Sequence, residues 1–315
     1  MNTAQELAAL LHRNLPYLVR EETTVLRLLG DADNTIFSRR NEHGALIAAA
    51  VVHKAAIYLL CVDADYRNQG IGSALLEQAE AAVRNSGYAA VTVGAGEDYL
   101  MPGVPTDVMP YPEALYSENL PAEANDAAVQ FFAKRGYVHA WGACNCFDMR
   151  MALRDLPDDA TLTVGSECAG VRYRWATPCD ADAVCACTDD AHPPFTQYYR
   201  NPALYDGSST QRVLLAERDE QVLGVLIVSQ ETEGRHRGSV GCTAVRHAWR
   251  GKHIAANLVR IGTHHLKACG LDESFLGYTY SGLDKLYGLA GYHICLYYFM
   301  AQKTLAPTYT KEIIH

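Results

Sequence analysis

The chain has 315 residues, 49% apolar and 20% charged, the composition of a folded protein with a sizeable core rather than a disordered chain. At roughly 100–200 residues per domain, this length predicts two domains or one large one. Lys and Arg total 27 against 36 Asp and Glu, a net charge of −9, so a nucleic-acid partner is not expected.

The opening MNTAQELAALLHRNL carries no basic segment leading into a long apolar stretch, so a secretory leader is not expected. The longest apolar run, Ala45 to Val52, breaks at His53-Lys54 and is too short to cross a bilayer. A cytoplasmic protein with no membrane partner is the expectation, and its ten cysteines read as reduced thiols. The close pairs Cys144/Cys146 and Cys185/Cys187, the second with Asp189 and His192 nearby, raise the question of a metal. On a helix a C-x-C pair points its thiols about 200° apart, which suits no single tetrahedral site, and no metal is expected.

In chain order, the first half starts with helices, then strands at TIFSRRN and ALIAAAVV. Next comes LLCVDADYRNQGIGSALLEQAEAAVRNSGY, Leu59 to Tyr88: an apolar run ending at Val62, a loop, and a helix that stops at Gly87. The helix has an apolar face of Ile71, Ala74, Leu75, Ala79, Ala82 and Val83. The following stretch, EDYLMPGVPTDVMPYPEALYSENLPAE, holds five prolines and reads as a long ordered loop, neither strand nor helix. Asn125 to Phe132 then reads as a short helix closed at Gly136-Tyr137 and followed by a strand.

The polar stretch Arg154 to Ala160 marks the boundary between halves. After it, GVRYRWATPCDADAV reads as a strand and a helix start, with Thr177 as N-cap, Pro178 at the first helical position and Asp180 completing a capping box. VLLAERD and QVLGVLIVSQE form a predicted hairpin around Asp219-Glu220. CTAVRHAWRGKHIAANLVRIGTHHLKACGL, Cys242 to Leu271, then repeats the first half's unit: Val245 for Val62, Arg250 for Arg67, Ala255 for Gly72, and a helix stopping at Gly270. Its apolar face is Ile254, Ala255, Leu258, Val259, Gly262, Leu266 and Cys269. Ser281 to Tyr287 with Gly291-Tyr292 repeats the second motif. The two halves are therefore one unit written twice, and the first copy lacks the opening strand of the second.

A strand feeding backbone N–H groups into a helix N-terminus makes an anion cradle. Gly70 and Gly72 let the backbone approach a ligand closely, and Arg67 can close the cradle from outside. A Rossmann turn does not fit, because a loop from Asp63 to Gln69 separates the strand from Gly70 and Leu75 stands where the third glycine belongs. A tight strand-to-helix turn remains the plain alternative.

The pattern V62-x-x-x-x-R67-x-x-G70-x-G72, followed by N125-x-x-A128-x-x-x-F132-x-x-x-G136-Y137, resembles the GCN5-related N-acetyltransferases (GNAT). V245-x-x-x-x-R250-x-x-H253-x-A255 with L286-Y287-x-x-x-G291-Y292 resembles a diverged second copy. The resemblance implies an α/β fold of two tandem GNAT (acyl-CoA N-acyltransferase) domains, each a twisted mixed β-sheet flanked by helices, with the fourth and fifth strands splayed. The expected domains are 1–155, with a proline-bearing insertion at about 97–124, and 163–315. Acetyl-CoA is the implied co-substrate and a small-molecule amine the acceptor; no oligomeric state follows from these motifs.

By the same resemblance, backbone at Leu60, Cys61 and Val62 would hold pantetheine. Arg67, Asn68, Gln69, Gly70, Ile71, Gly72 and Ser73 would hold the pyrophosphate, and Phe132 would stand beside the cofactor where the family has its acid Tyr. In the second copy Val245, Arg250, Gly251 and Lys252 would contact the cofactor, while His253 replaces a glycine. The implied reaction is direct attack of the amine on the thioester. A carboxylate or water chain takes the amine proton, which a group of pKa about 10.4 otherwise keeps at neutral pH. Glu97 and Asp98 are the expected bases, Asn125 a helix cap or catalytic group, and Tyr287 the acid that protonates the thiolate. Tyr278-Thr279-Tyr280 offers the second half hydroxyls but no carboxylate. Because the first copy keeps both glycines, the expectation places catalysis there, with the second half in support. Phe132 and His253 also fit a non-catalytic acyl-CoA-binding or regulatory module.

Overall fold

The computed structural model describes residues 2–15, 22–94, 100–106, 127–140, 146–157, 162–230, 236–280 and 282–305. Glu97, Asp98 and Asn125 lie outside these residues. Two compact units form, one from residues 1–146 and 296–315, the other from 147–295.

The first unit opens with helices α1 (Thr3–Asn14) and α2 (Glu22–Leu29). An Asn2/Gln5 capping box starts α1, which buries Leu7, Leu10 and Leu11. Strands β1 (Thr35–Arg40), β2 (Leu46–His53) and β3 (Ala56–Val62) follow as an antiparallel meander. Helix α3 (Ile71–Asn85) and β4 (Ala90–Val93) complete the crossover, and β4 is parallel to β3. The buried face of α3 is Leu75, Leu76, Ala79 and Val83. Each large aliphatic side chain removed from water there contributes about 1.5–3 kcal/mol.

Three residues of the proline-rich stretch form a strand, β5 (Val104–Thr106), where a loop was expected. Thr106, Pro105 and Val104 pair antiparallel with Tyr297, Tyr298 and Phe299. A proline is tolerated on a strand that ends a sheet, because its missing N–H then faces no neighbour. Helix α4 (Ala127–Ala133) and β6 (Val138–His139) follow. Strand β7 (Cys146–Ala152) carries the chain into the second unit.

The second unit adds β8 (Glu167–Cys168), β9 (Val171–Trp175), α5 (Ala181–Ala191), α6 (Thr196–Tyr199), β10 (Gln211–Arg218), β11 (Gln221–Gln230) and β12 (Arg237–Val245). The predicted capping box is present: Asp180 accepts the Thr177 N–H at 2.7 Å. Asp219 and Glu220 both take left-handed φ, +49° and +62°, making the tight turn that joins β10 to β11. After α7 (Ile254–Ala268) come β13 (Glu273–Tyr280), α8 (Leu283–Gly288), β14 (His293–Phe299) and β15 (Ala301–Thr304). Of the residues expected on the apolar face of α7, Cys269 is exposed, because the helix ends at Ala268 and the cap turns outward at Gly270.

Strand order is β1-β2-β3-β4-β15-β6 in the first unit, and β8-β9-β10-β11-β12-β13-β7-β14 through the second. Among the described residues nothing pairs with the outer edge of β1, whereas β9 covers the equivalent edge of β10. Each sheet also borrows a strand: β7 comes from the first half of the sequence and β15 from the end of the second.

Candidate functional site

Both sheets split open at the same place. Strands β3 and β4 pair only at Ala56–Thr92 and Ile57–Val93, with a last bond from the Gly94 N–H to the Ile57 carbonyl at 2.9 Å. Strands β12 and β13 pair only at Arg237–Glu273 and Gly238–Ser274. Beyond those points β3 runs on to Val62, past the end of β4 at Val93, and β12 runs on to Val245 while β13 continues to Tyr280 without pairing to it. Each diverging strand also carries a bulge, where pairing skips between Val51 and Val52 and between Val225 and Ile227. In β12 the bulge puts Cys242 at φ +51°.

At the mouth of each split stands the loop the sequence singled out, and the two loops share one backbone. Asn68 and Gly70 take φ of +61° and +80°; Gly251 and His253, at the equivalent positions, take +74° and +61°. The second copy thus keeps the conformation with its glycine moved two residues earlier. His tolerates the left-handed region better than most side chains, at a cost of roughly 1 kcal/mol. Neither α3 nor α7 has a side-chain N-cap, so the first-turn N–H groups of both helices face the loop uncapped. An ideal Cβ on Gly72 would meet Val62 and Phe131 at 3.5 and 3.6 Å, ordinary contacts, which explains why Ala255 serves in the second copy.

The two arginines brace these loops. Arg67 donates from Nε to the Val62 carbonyl at 3.0 Å and from its terminal nitrogen to Asn14 Oδ1 at 3.0 Å. Arg250 does the same toward the Val245 carbonyl at 3.3 Å and the Ala191 carbonyl at 2.8 Å. Each loop is thereby tied to its own strand end and to the end of a preceding helix. Asp63 joins the first brace through Arg13 and Asn14; burial raises its carboxyl, but these hydrogen bonds outweigh that and hold it below the usual range.

One contributor escaped the sequence reading. Arg135, in the turn after α4, donates to Ser73 Oγ at 2.6 Å and to the Phe131 carbonyl at 2.7 Å, with its guanidinium 3.8 Å from the Phe131 ring centre. It brings a cation to the first turn of α3. The Lys134-Arg135 pair before Gly136 was the available signal. In the second loop Lys252 lies 4.2 Å over the Trp249 ring.

The units differ where an acid would stand. Phe132 is 5% exposed, set edge-on against Phe131 and Tyr137, in a core that Leu60 also packs against. Tyr287, its counterpart, is equally buried, and its hydroxyl lies 3.4 Å from Thr243 Oγ1 on β12. Thr243 is the counterpart of Leu60. One unit carries a hydroxyl pair where the other carries an apolar pair. Burial pushes the Tyr287 phenol up, with Thr243 pulling it partly back, so it holds its proton at neutral pH. Beside it, burial raises the Cys242 thiol to about 11, and the Tyr199 hydroxyl donates to the Cys242 carbonyl at 2.7 Å. Cys185 and Cys187 both lie on α5, the first half-buried and the second fully buried.

Residues 32–139 match the acetyltransferase (GNAT) domain model, and residues 174–287 match the acetyltransferase (GNAT) family model. No curated protein sequence matches the chain. Among solved structures, a GCN5-related N-acetyltransferase from Sphaerobacter thermophilus is similar at TM-score 0.67 and 20% identity, covering 96% of this chain and 93% of that one. The tandem GNAT protein from the clavulanic acid biosynthesis pathway gives 0.64 and 16%, covering 97% and 96%. The glucosamine N-acetyltransferase region of a fungal multi-domain GH3 β-N-acetylglucosaminidase gives 0.69 and 18%, over 96% of this chain but 37% of the fungal one.

Proposed function

The chain belongs to the GNAT acetyltransferase family in both halves, and from that premise we propose that it transfers acetyl from acetyl-CoA to a primary amine of a small molecule. The observation carrying this reading is the repeated loop. Two left-handed residues, an arginine brace and an uncapped helix N-terminus stand at the mouth of a split parallel pair, which suits a pyrophosphate on the loop and a pantetheine arm in the split. Amides from Asn68 to Ser73, and from Gly251 onward in the second unit, would carry the phosphates. Charge-assisted bonds of about 1.5–3 kcal/mol each make such a cradle a strong anchor.

Chemistry is assigned to the second unit. Gly251 and His253 hold the left-handed positions that Asn68 and Gly70 hold in the first unit, so the first unit's glycines do not set it apart. Tyr287, buried, protonated and beside Thr243, is suited to give a proton to the departing thiolate. Phe132 and Leu60 leave the first unit able to bind acyl-CoA without that donor. Glu97, Asp98 and Asn125 remain acceptor-side groups for the first unit, outside the described residues.

A net charge of −9 favours a cationic amine over a nucleic acid. Among the described residues no helix is long and apolar enough to cross a membrane, and a cytoplasmic enzyme is the reading adopted. The test is thiol release from acetyl-CoA across a panel of amines, with an amino sugar included because the fungal region is described as a glucosamine N-acetyltransferase. Amine-dependent release with an acetylated product supports the reading. Tight acetyl-CoA binding without turnover on any amine would favour a regulatory module.

A further inference from the structure

An amine acceptor reaches the enzyme as an ammonium, and the second unit's own strand end offers only the hydroxyls of Tyr278, Thr279 and Tyr280. The borrowed strand β7 supplies what is missing. Asp148, 7% exposed, accepts the Tyr278 N–H at Oδ1 over 2.9 Å. This is the limb of β13 beyond its last pairing with β12, where the sheet has split. Tyr278 itself sits at φ +59°, turning the strand end at the carboxylate.

The face is set by alternation. Ser274 and Leu276 are buried, and the Tyr292 hydroxyl joins Ser274 Oγ at 2.7 Å to Thr263 of α7 at 2.9 Å. Phe275 and Gly277 therefore face away from α7. A Cβ built on Gly277 would stand 3.8 Å from Asp148 Oδ1 and 3.5 Å from the Phe275 ring. Gly277 is exposed, so the missing side chain leaves a way in to one carboxylate oxygen, with an aromatic ring alongside. The Cys295 thiol lies 3.5 Å from the Asp148 carbonyl.

We propose that Asp148 receives the acceptor's ammonium in the second unit and takes its proton, so that the exchanged strand completes the acceptor site. The inference rests on the acetyltransferase reading above. One N–H proton passes to an Asp148 oxygen. The freed lone pair forms the C–N bond to the acetyl carbonyl carbon, the C–S bond breaks with its electron pair going to sulfur, and the sulfur takes a proton from Tyr287. The nitrogen then gives its second proton to water and the Tyr287 oxygen regains one from water, leaving a neutral amide, a free thiol and a protonated Asp148.

Asp148→Asn is the variant of choice, because its Oδ1 still accepts the Tyr278 N–H while charge and basicity are lost. With an amine accepted by the wild type, kcat/KM for the amine should fall by about 10²-fold or more, the size of a lost general base. The KM for acetyl-CoA should stay within about twofold, melting within about 2 °C, and Asp148→Glu should recover part of the rate. Wild-type kinetics in Asp148→Asn would overturn the proposal. So would an equal loss toward acetyl-CoA, which marks a structural role. If the wild type acetylates nothing, the acetyltransferase reading fails, and titration with ethylammonium followed by NMR decides this site: binding that Asp148→Asn removes supports it, and binding unchanged or absent in both proteins overturns it.

Discussion

Replacing Thr243 with Val keeps the side chain's shape and removes the oxygen 3.4 Å from the Tyr287 hydroxyl. Tyr287 is 5% exposed, so its phenol then loses its partner without gaining water. A buried hydroxyl in that state costs about 1–3 kcal/mol, and the long separation places this one near about 1 kcal/mol. For a unit of this size that is a fall of about 2–4 °C in melting temperature. Tyr287→Phe alone takes the same partner from the half-buried Thr243 hydroxyl. The double variant gives these positions the apolar character that Leu60 and Phe132 have in the first unit, and should recover about 1 kcal/mol relative to the sum of the singles. Thermal and urea unfolding of the four proteins measure the coupling. Strict additivity would show that the two hydroxyls do not interact and would remove the reason for treating Thr243 as the partner of Tyr287.

Gly72→Ala should leave CoA affinity intact and raise stability by about 0.5 kcal/mol, since its Cβ meets Val62 and Phe131 at ordinary distances. Gly72→Asp should weaken calorimetric CoA binding at the first loop by about tenfold or more through phosphate repulsion. Lys303 donates to both Glu80 oxygens at 2.9 Å, and Tyr137 donates to the same carboxylate, so Lys303→Met should destabilise the first unit by about 2 kcal/mol in urea unfolding, with Glu80→Gln restoring part. Burial lowers His139 to about 4 from an ordinary 6.5, so the unfolded chain binds its proton first. That stability is complete above pH about 6.5 and drains as pH falls toward about 4; His139→Phe should flatten this part of the stability–pH curve.

Local signals carried most of the fold. Val62, Arg67 and Gly70 fix a strand end, a braced loop and a helix start within a dozen residues, so the pattern reads directly and its recurrence at Val245 and Arg250 exposes the duplication. His253 in place of a glycine reads in the sequence as a departure from the pattern; in the structure Gly251 and His253 hold the two left-handed positions that Asn68 and Gly70 fill in the first copy. Strand exchange left no local trace: nothing within CFDMRMA or AQKT marks which sheet it joins, and partners far off in sequence, such as Glu80 for Lys303, go with the choice. Asp148 was hidden for the same reason, since the strand end it serves lies in the other half of the sequence.

Steady-state acetyl transfer by Tyr287→Phe, compared with the wild type on the same amine, tests the central claim most directly. The account predicts a fall in kcat of about 10²-fold or more, with acetyl-CoA binding at both loops unchanged. A variant that turns over at the wild-type rate would contradict it and return the chemistry to the first unit.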